Sequence, residues 1–169
     1  MTAAKNQSAT SANDGTTMTL VGDSEIHIAR TFDAPARLVW AAVHKPENVK
    51  RWWAPASRGT MTVCEIDFRV GGGWKFQMKT VRGDVVGFHG SYLEIDAPHR
   101  VVNTEIFDPF PDAGSTVTVT LVEKDGKTTM KQRCIYPSKE VRDMVVSTGM
   151  EDGMRESLRQ LSGVVDGLL

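Results

Sequence analysis

The sequence has few cysteines, no excess of either charge and no long apolar run, and each shortage argues against a class of protein. Cys64 and Cys134 are far apart, which argues against a secreted disulfide framework and favours a reducing, cytoplasmic setting. The 20 Lys and Arg residues are balanced by 21 Asp and Glu residues, so we expect no nucleic-acid partner bound through bulk charge. No apolar run approaches the ~20 residues of a transmembrane helix, so we expect no membrane insertion.

The sequence also lacks the common motifs of metal, phosphate and nucleophile sites. It contains no Cys-x-x-Cys, no His-Glu-x-x-His and no Gly-x-Ser-x-Gly. The glycine run 71–73 precedes a strand-like segment rather than a helix, which indicates a turn and not a phosphate cradle. The four histidines are widely spaced, at His27, His44, His89 and His99. We therefore expect neither a metal nor a cofactor.

The first 24 residues are rich in Ser, Thr, Ala, Asn and Gly and contain no aromatic residue. A segment of this composition buries too little apolar surface to become ordered. The sequence therefore predicts a flexible N-terminal tail over residues 1–24 and a single domain over residues 25–169, a length at which one core suffices. Met1 and Met18 are both candidates for the natural first residue, and the sequence alone leaves that choice open.

Hydrophobic periodicity predicts a strand, two short helices and then a series of strands. Glu25–Phe32 alternates as a strand does, and Asp33 and Pro35 are suited to the start of a helix that ends before Pro46. A second short helix is predicted over Pro46–Trp53. Short turns, the clearest at Asp125-Gly126, separate six further predicted strands, which should therefore pair as antiparallel neighbours. These strands are Met61–Phe68, Trp74–Val81, Val86–Ile95, Val101–Phe107, Thr116–Glu123 and Thr128–Tyr136.

A long amphipathic helical region follows the last predicted strand. Ser138 is suited to cap it, Gly149 allows a break, and apolar residues recur at spacings of three and four from Met150 to Leu168. An antiparallel sheet with one apolar face needs a cover, which this helix supplies. We therefore predict an α+β fold: a curved antiparallel sheet wrapped around a long C-terminal helix, with two short helices after the first strand.

The chain resembles the START-like, helix-grip (SRPBCC) superfamily, in the branch similar to the C-terminal domain of the activator of Hsp90 ATPase. The resemblance extends from about Glu25 to Val165 and is carried, in the family's order, by residues 30–35, 38–40, 51–55, 67–74, 90–95 and 148–154. It implies the helix-grip fold and a pocket between the sheet and the terminal helix. It also implies a link to stress response. Whether the chain forms a homodimer stays an open question at this point.

Apolar and adaptable side chains are the expected lining of such a pocket, although any packed core uses the same residue types. The candidates for ligand binding are Trp52, Trp53, Trp74, Phe76, Met78, Phe88, Met130, Met150 and Met154.

Polar residues interrupt this apolar set. Alternation within residues 101–107 turns Asn103 and Glu105 toward the predicted interior, where family members usually carry apolar residues, and Gln132 shares the parity of Met130. A carboxyl in an apolar pocket is a candidate acid or base. The alternatives are that Glu105 pairs with Arg133 or Arg30, or that it points to water. His89 either donates into the pocket or faces solvent, and solvent is favoured.

The sequence leaves three functions open. The leading hypothesis is the binding of a hydrophobic or aromatic small molecule, without catalysis. The second is a cyclase-like or hydratase-like enzyme in which Glu105 transfers a proton with help from Asn103 or His89. The third is a co-chaperone-like role in protein interaction, through the exposed face of the sheet or a dimer surface.

Overall fold

A computed structural model describes residues 7–11 and 14–169; residues 1–6 and 12–13 of the predicted tail lie outside the described residues. The strands are β1 (Gln7–Ser11), β2 (Thr16–Val21), β3 (Glu25–Phe32), β4 (Gly59–Ile66), β5 (Gly73–Thr80), β6 (Val85–Asp96), β7 (Arg100–Phe107), β8 (Phe110–Lys124) and β9 (Lys127–Ile135). The helices are α1 (Ala36–His44), α2 (Pro46–Val49), α3 (Lys139–Ser147) and α4 (Met150–Gly167).

All nine described strands form one curled antiparallel sheet in the order β1-β2-β3-β9-β8-β7-β6-β5-β4. Sequential neighbours are joined by short turns. A two-residue turn lies at Asp125 and Gly126, whose φ angles of 54° and 76° suit an Asp-Gly pair. The predicted helix-grip architecture is confirmed. The two short helices follow β3, and the C-terminal helices cover the sheet.

The helix ends follow local chemistry, with one correction. The Ser138 side chain accepts a hydrogen bond from the Val141 amide and caps α3, and Gly149 adopts a left-handed conformation that separates α3 from α4. Asp33 does not cap α1. Instead the carboxylate of Glu123 in β8 accepts a hydrogen bond from the Ala36 amide at 3.0 Å. None of the helices within the described ranges is both long and apolar enough to cross a membrane.

The main core lies between β3, β8, β9 and the second half of α4. Leu158, Leu161 and Val165 are buried on the helix side, and Ile26 and Met130 are among the buried side chains of the sheet. At roughly 1.5–3 kcal/mol for each large apolar side chain, burial here outweighs any single polar contact in the fold. The core therefore fixes α4 across one half of the inner face.

The prediction of a flexible tail is wrong for residues 16–21. β2 pairs with β3 along its whole length, with Met18 opposite Ile28, and both Thr16 and Met18 are buried. The polar composition of the segment hid the alternation of Met18 and Leu20, which face the core. The free edge of β3 offers the backbone partners that composition cannot reveal.

An ion-pair network attaches this segment to α4. The Asp14 carboxylate lies 3.1 Å from Arg155 and 3.2 Å from Arg159, and the Arg30 guanidinium donates to the Asp14 carbonyl and to the Ser162 hydroxyl. Burial acts to raise the pKa of Asp14, but a hydrogen bond from the Thr16 amide and the three arginines outweigh it and hold the pKa below its usual value. The network therefore stabilises the fold when Asp14 is ionised.

Met18→Ala should lower the free energy of unfolding by about 2–5 kcal/mol, because it leaves a cavity under α4. Thr17→Ala, on the exposed face of the same strand, should change it by no more than ~0.5 kcal/mol. Urea denaturation followed by circular dichroism measures both values. Equal, small effects would mean that β2 does not pack on the core.

Candidate functional site

Most of the predicted lining residues share the inner face of the sheet, the face that α4 packs against. Cross-strand pairing places Phe76 opposite Phe88 and Phe88 opposite Phe107, and it places Asn103 opposite Val117 of the core. Trp74, Met78, Glu105 and Gln132 share this face by the same register. The alternation predicted for β7 is therefore correct.

A polar cluster surrounds Glu105. Ser115 of β8 is its cross-strand partner, and the thiol of Cys134 and the hydroxyl of Tyr136 are close enough to feel its charge. Burial, with Glu105 as a further contributor, raises the pKa of Cys134 to about 12. Burial, reinforced by Cys134 and Glu105, also raises the pKa of Tyr136, and the neighbouring Ser115 hydroxyl opposes this shift. Both groups are therefore neutral at physiological pH.

The carboxyl of Glu105 has no salt-bridge or hydrogen-bond partner among residues 14–169. The two arginines predicted as partners are engaged elsewhere, since Arg133 pairs with Glu25 at 2.5 Å and Arg30 donates to the Asp14 carbonyl. The predicted ion pairs of Glu105 are therefore wrong. Burial without compensation raises its pKa to about 7, from a usual value of 4.5.

Glu105 and Gln132 line an accessible space rather than a sealed core. Both side chains are half-buried, and neither makes a hydrogen bond within the part of the chain that the structure describes. The buried polar side-chain atom that lacks a partner there is Nε2 of His44, so the polar atoms of Glu105 and Gln132 keep contact with solvent-sized space. Both polar groups therefore lie within reach of a bound molecule.

Aromatic rings continue the inner face away from Glu105. The ring of Phe107, two residues along β7, lies 4.8 Å from that of Phe88. Trp53 packs edge-on against Phe88 at 5.5 Å and against Phe76 at 5.3 Å. The site therefore has a single carboxyl at one end and an aromatic wall beside it.

Trp74 lies across Gly90 from Glu105, and its indole fills the space that this glycine leaves open. Register puts Gly90 opposite Glu105, and a side chain at Gly90 would collide with the Thr104 carbonyl oxygen and lie 2.7 Å from the indole nitrogen of Trp74. The Trp74 indole occupies this gap and donates to the Thr104 carbonyl at 3.2 Å. The side-chain nitrogen of Asn103 donates to the same carbonyl oxygen at 3.0 Å. The two N–H groups of this side chain are therefore not both free to bind a ligand.

The loop that carries Trp53 is tied to α4. Ser157 donates to the Trp53 carbonyl at 2.8 Å, and Gln160 donates to the carbonyls of Trp52 and Ala54 at 3.0 and 2.9 Å. These bonds satisfy the loop's backbone acceptors and hold Trp53 against the aromatic wall.

The remaining predicted residues lie at the border of the site or outside it. Met130 is 1% exposed and belongs to the packed core, so the structure does not place it in the open part of the inner face. Trp52 packs on the core and donates its indole N–H to Ala42 at 2.8 Å. Met150 and Met154 are half-buried in the first turns of α4. His89 is on the outer face and pairs with Asp108, as the preference for solvent predicted.

Sequence reasoning missed Ser115 and Tyr136 as neighbours of Glu105. The parity of Tyr136 with Gln132 and Cys134 is the signal that could have found the tyrosine. Ser115 lies just before the predicted strand Thr116–Glu123, in a stretch that in fact belongs to β8. A second missed feature is His44, which lies against Trp40 and Phe68 at 4.5 and 4.7 Å. Burial lowers the pKa of His44 to about 4, so it is neutral.

The other places considered among the described residues are less suited to a functional site. Within the described ranges, no three His, Cys, Asp or Glu side chains come together as metal ligands do. A groove of about 730 Å³ lies between the start of α1 and the turn at Pro98, but its Glu123 carboxylate already caps α1. The Glu105 region remains the candidate site.

Glu105→Gln should make stability less sensitive to pH. The folded protein holds a proton on Glu105 that the unfolded chain releases above pH 4.5, so this group's contribution is full below 4.5 and is lost as pH rises through about 7. Relative to the wild type, the variant should gain up to about 3 kcal/mol between pH 4.5 and 8. Urea denaturation across this range tests it, with exposed Glu65→Gln as control. Parallel curves for wild type and Glu105→Gln would contradict the raised pKa.

Comparison with known proteins agrees with this architecture. The structure is similar to a Rhodobacter sphaeroides protein (24% identity over 90% of this chain and 99% of that one, TM-score 0.83). It is also similar to an Arthrobacter aurescens protein, with 26% identity over 86% of this chain and 87% of that one and a TM-score of 0.76. A third similar structure is an AHSA1-like protein from Aeromonas hydrophila, with 21% identity over 84% of this chain and 93% of that one and a TM-score of 0.65. No protein of curated function matches the sequence. The family model described as Activator of Hsp90 ATPase homolog 1-like protein matches residues 33–166, and the chain belongs to this family.

Proposed function

We propose that the chain binds a small, largely apolar molecule on the inner face of the sheet beside α4, with Glu105 as the polar anchor. The observation that carries this proposal is the unpartnered, accessible carboxyl of Glu105 next to an aromatic wall. A mostly apolar lining with a few polar groups is typical of small-molecule sites. The two free cysteines, Cys64 and Cys134, suit action in a reducing compartment such as the cytoplasm.

Packing of the protein alone does not explain the polar residues of this face, whereas the binding of a ligand would. A buried polar group without a hydrogen-bond partner costs on the order of 1–3 kcal/mol, and more when it is charged. Glu105 and Gln132 both stand where an apolar residue would pack more favourably. A bound molecule with a hydrogen-bonding group would satisfy them.

Proton transfer by Glu105 is a second candidate function. The pKa of this carboxyl, raised by burial to about 7, suits a group that both accepts and donates a proton near neutral pH. Asn103 shares its face, but His89 does not, so the neighbour for this chemistry would come from Asn103, Ser115 or Tyr136. The test is whether a co-purified molecule is altered by the wild type and left unaltered by Glu105→Gln.

A protein-interaction role would follow from the activator of Hsp90 ATPase after which the family is described. Such a role would use the outer surface of the domain, and it would leave the unpartnered carboxyl inside unexplained. We therefore favour the binding of a small molecule.

Native mass spectrometry of freshly purified protein should show a species heavier than the chain of 18.6 kDa by the mass of one small molecule. Extraction with organic solvent should release that molecule for identification. A single species at the mass of the chain, obtained from several expression hosts, would contradict retention of a ligand.

The neutral fluorescent probe N-phenyl-1-naphthylamine should bind the purified protein with one site. Phe88→Ala should weaken its binding about tenfold, because the loss of aromatic contact on the inner face removes more than ~1.4 kcal/mol. Val85→Ala, a 60% exposed residue of the same strand, is the matched control and should leave binding unchanged. Fluorescence titration measures the three dissociation constants. Equal weakening by both variants, or none, would place the probe elsewhere.

A further inference from the structure

Glu105 is an acidic group without a basic side chain beside it in the described part of the chain. Desolvation is what shifts its pKa, and no Lys, Arg or His of the described chain lies close enough to offset that desolvation. The titratable groups packed around it, Cys134 and Tyr136, are held neutral by burial. Arg30 is a cation on the inner face, and its guanidinium is bound to Asp14, Thr16 and Ser162. An ionised Glu105 therefore lacks a positive partner among the residues that the structure describes.

The groups beside this carboxyl are those that favour a cation. Aromatic faces attract ammonium groups by about 0.5–2 kcal/mol, with more when water is excluded. Trp74 borders Glu105 across Gly90, and Phe107 follows it on the same face of β7. The hydroxyls of Ser115 and Tyr136 have oxygen atoms that accept a hydrogen bond from an N–H donor.

We propose that the molecule bound here is an organic amine, held as its ammonium form by Glu105, with an aromatic or apolar body against Phe107, Phe88 and Trp53. This inference rests on the proposed function and specifies its ligand class. The ammonium group donates to the carboxylate and supplies the positive charge that none of the described residues places beside it. The aromatic wall, with successive rings 4.8 and 5.5 Å apart, receives the rest of the molecule.

The same arrangement disfavours acids. A carboxylate or phosphate ligand would bring a second negative charge to a site without a cation among the described residues, and like charges in a desolvated site repel strongly. A fatty acid or an acyl phosphate is therefore disfavoured as the ligand of this end of the site while Glu105 is ionised.

Three naphthalene probes of matched size test the proposal. They are 2-(aminomethyl)naphthalene, 2-(hydroxymethyl)naphthalene and 2-naphthoate, measured by isothermal titration calorimetry at pH 7.5. We expect the amine to bind at least tenfold more tightly than the alcohol, and the acid to bind most weakly. Glu105→Gln should remove the advantage of the amine over the alcohol, whereas the exposed control Glu65→Gln should leave the binding of both unchanged.

The pH dependence of the wild type gives a second readout that needs no variant. Between pH 5.5 and 7.5, amine binding should strengthen by about 20-fold, because Glu105 must lose its proton, with a pKa of about 7, to pair with the ammonium group. Alcohol binding should be insensitive to pH over this range.

The outcomes separate this inference from the proposed function. Equal binding of amine, alcohol and acid, or an amine preference that persists in Glu105→Gln, would overturn the ligand class while the binding function stands. Failure of all three probes and of N-phenyl-1-naphthylamine to bind would overturn both.

Discussion

The packing of α4 against the inner face of the sheet is the contact on which the rest of the structure depends. Leu158, Leu161 and Val165 bury the second half of the helix in the core. Other segments are then attached to this helix by polar groups: the N-terminal segment through Asp14 and the loop of Trp53 through Gln160. Burial of apolar surface supplies the energy, and the hydrogen bonds determine which segments lie beside the helix.

Helix α4 covers one part of the inner face, and the covered and uncovered parts differ in their residues. Where the helix packs closely, the face consists of apolar residues that are almost fully buried, such as Ile26, Ile28 and Met130. Away from that contact, large rings and polar residues such as Glu105 remain half-buried. Close packing excludes ligands, whereas a region lined by rings and an unpartnered carboxyl retains capacity to bind. The half of the inner face under α4 therefore stabilises the fold, and the other half holds the candidate functional site.

Much of the fold could be predicted because its signals are local. Alternation identified seven of the strands, and the Asp-Gly turn, Ser138 and Gly149 marked element ends by chemistry that acts over a few residues. β2 was missed because its pairing depends on a distant edge. The start of β8 was missed because Pro109, Asp112 and Gly114 are typical turn residues, although the strand begins at Phe110.

The candidate site was predictable only in part, for the same reason. Parity along β7 and β9, a property with a period of two, determined that Asn103, Glu105 and Gln132 share one face. The sequence by itself also determined the family and the amphipathic cover of the sheet. Only the tertiary structure decided that Glu105 has no cationic partner among the described residues. Arg30 and Arg133 are bound by Asp14 and Glu25, and this competition between distant residues depends on register and distance in three dimensions, which no local pattern encodes.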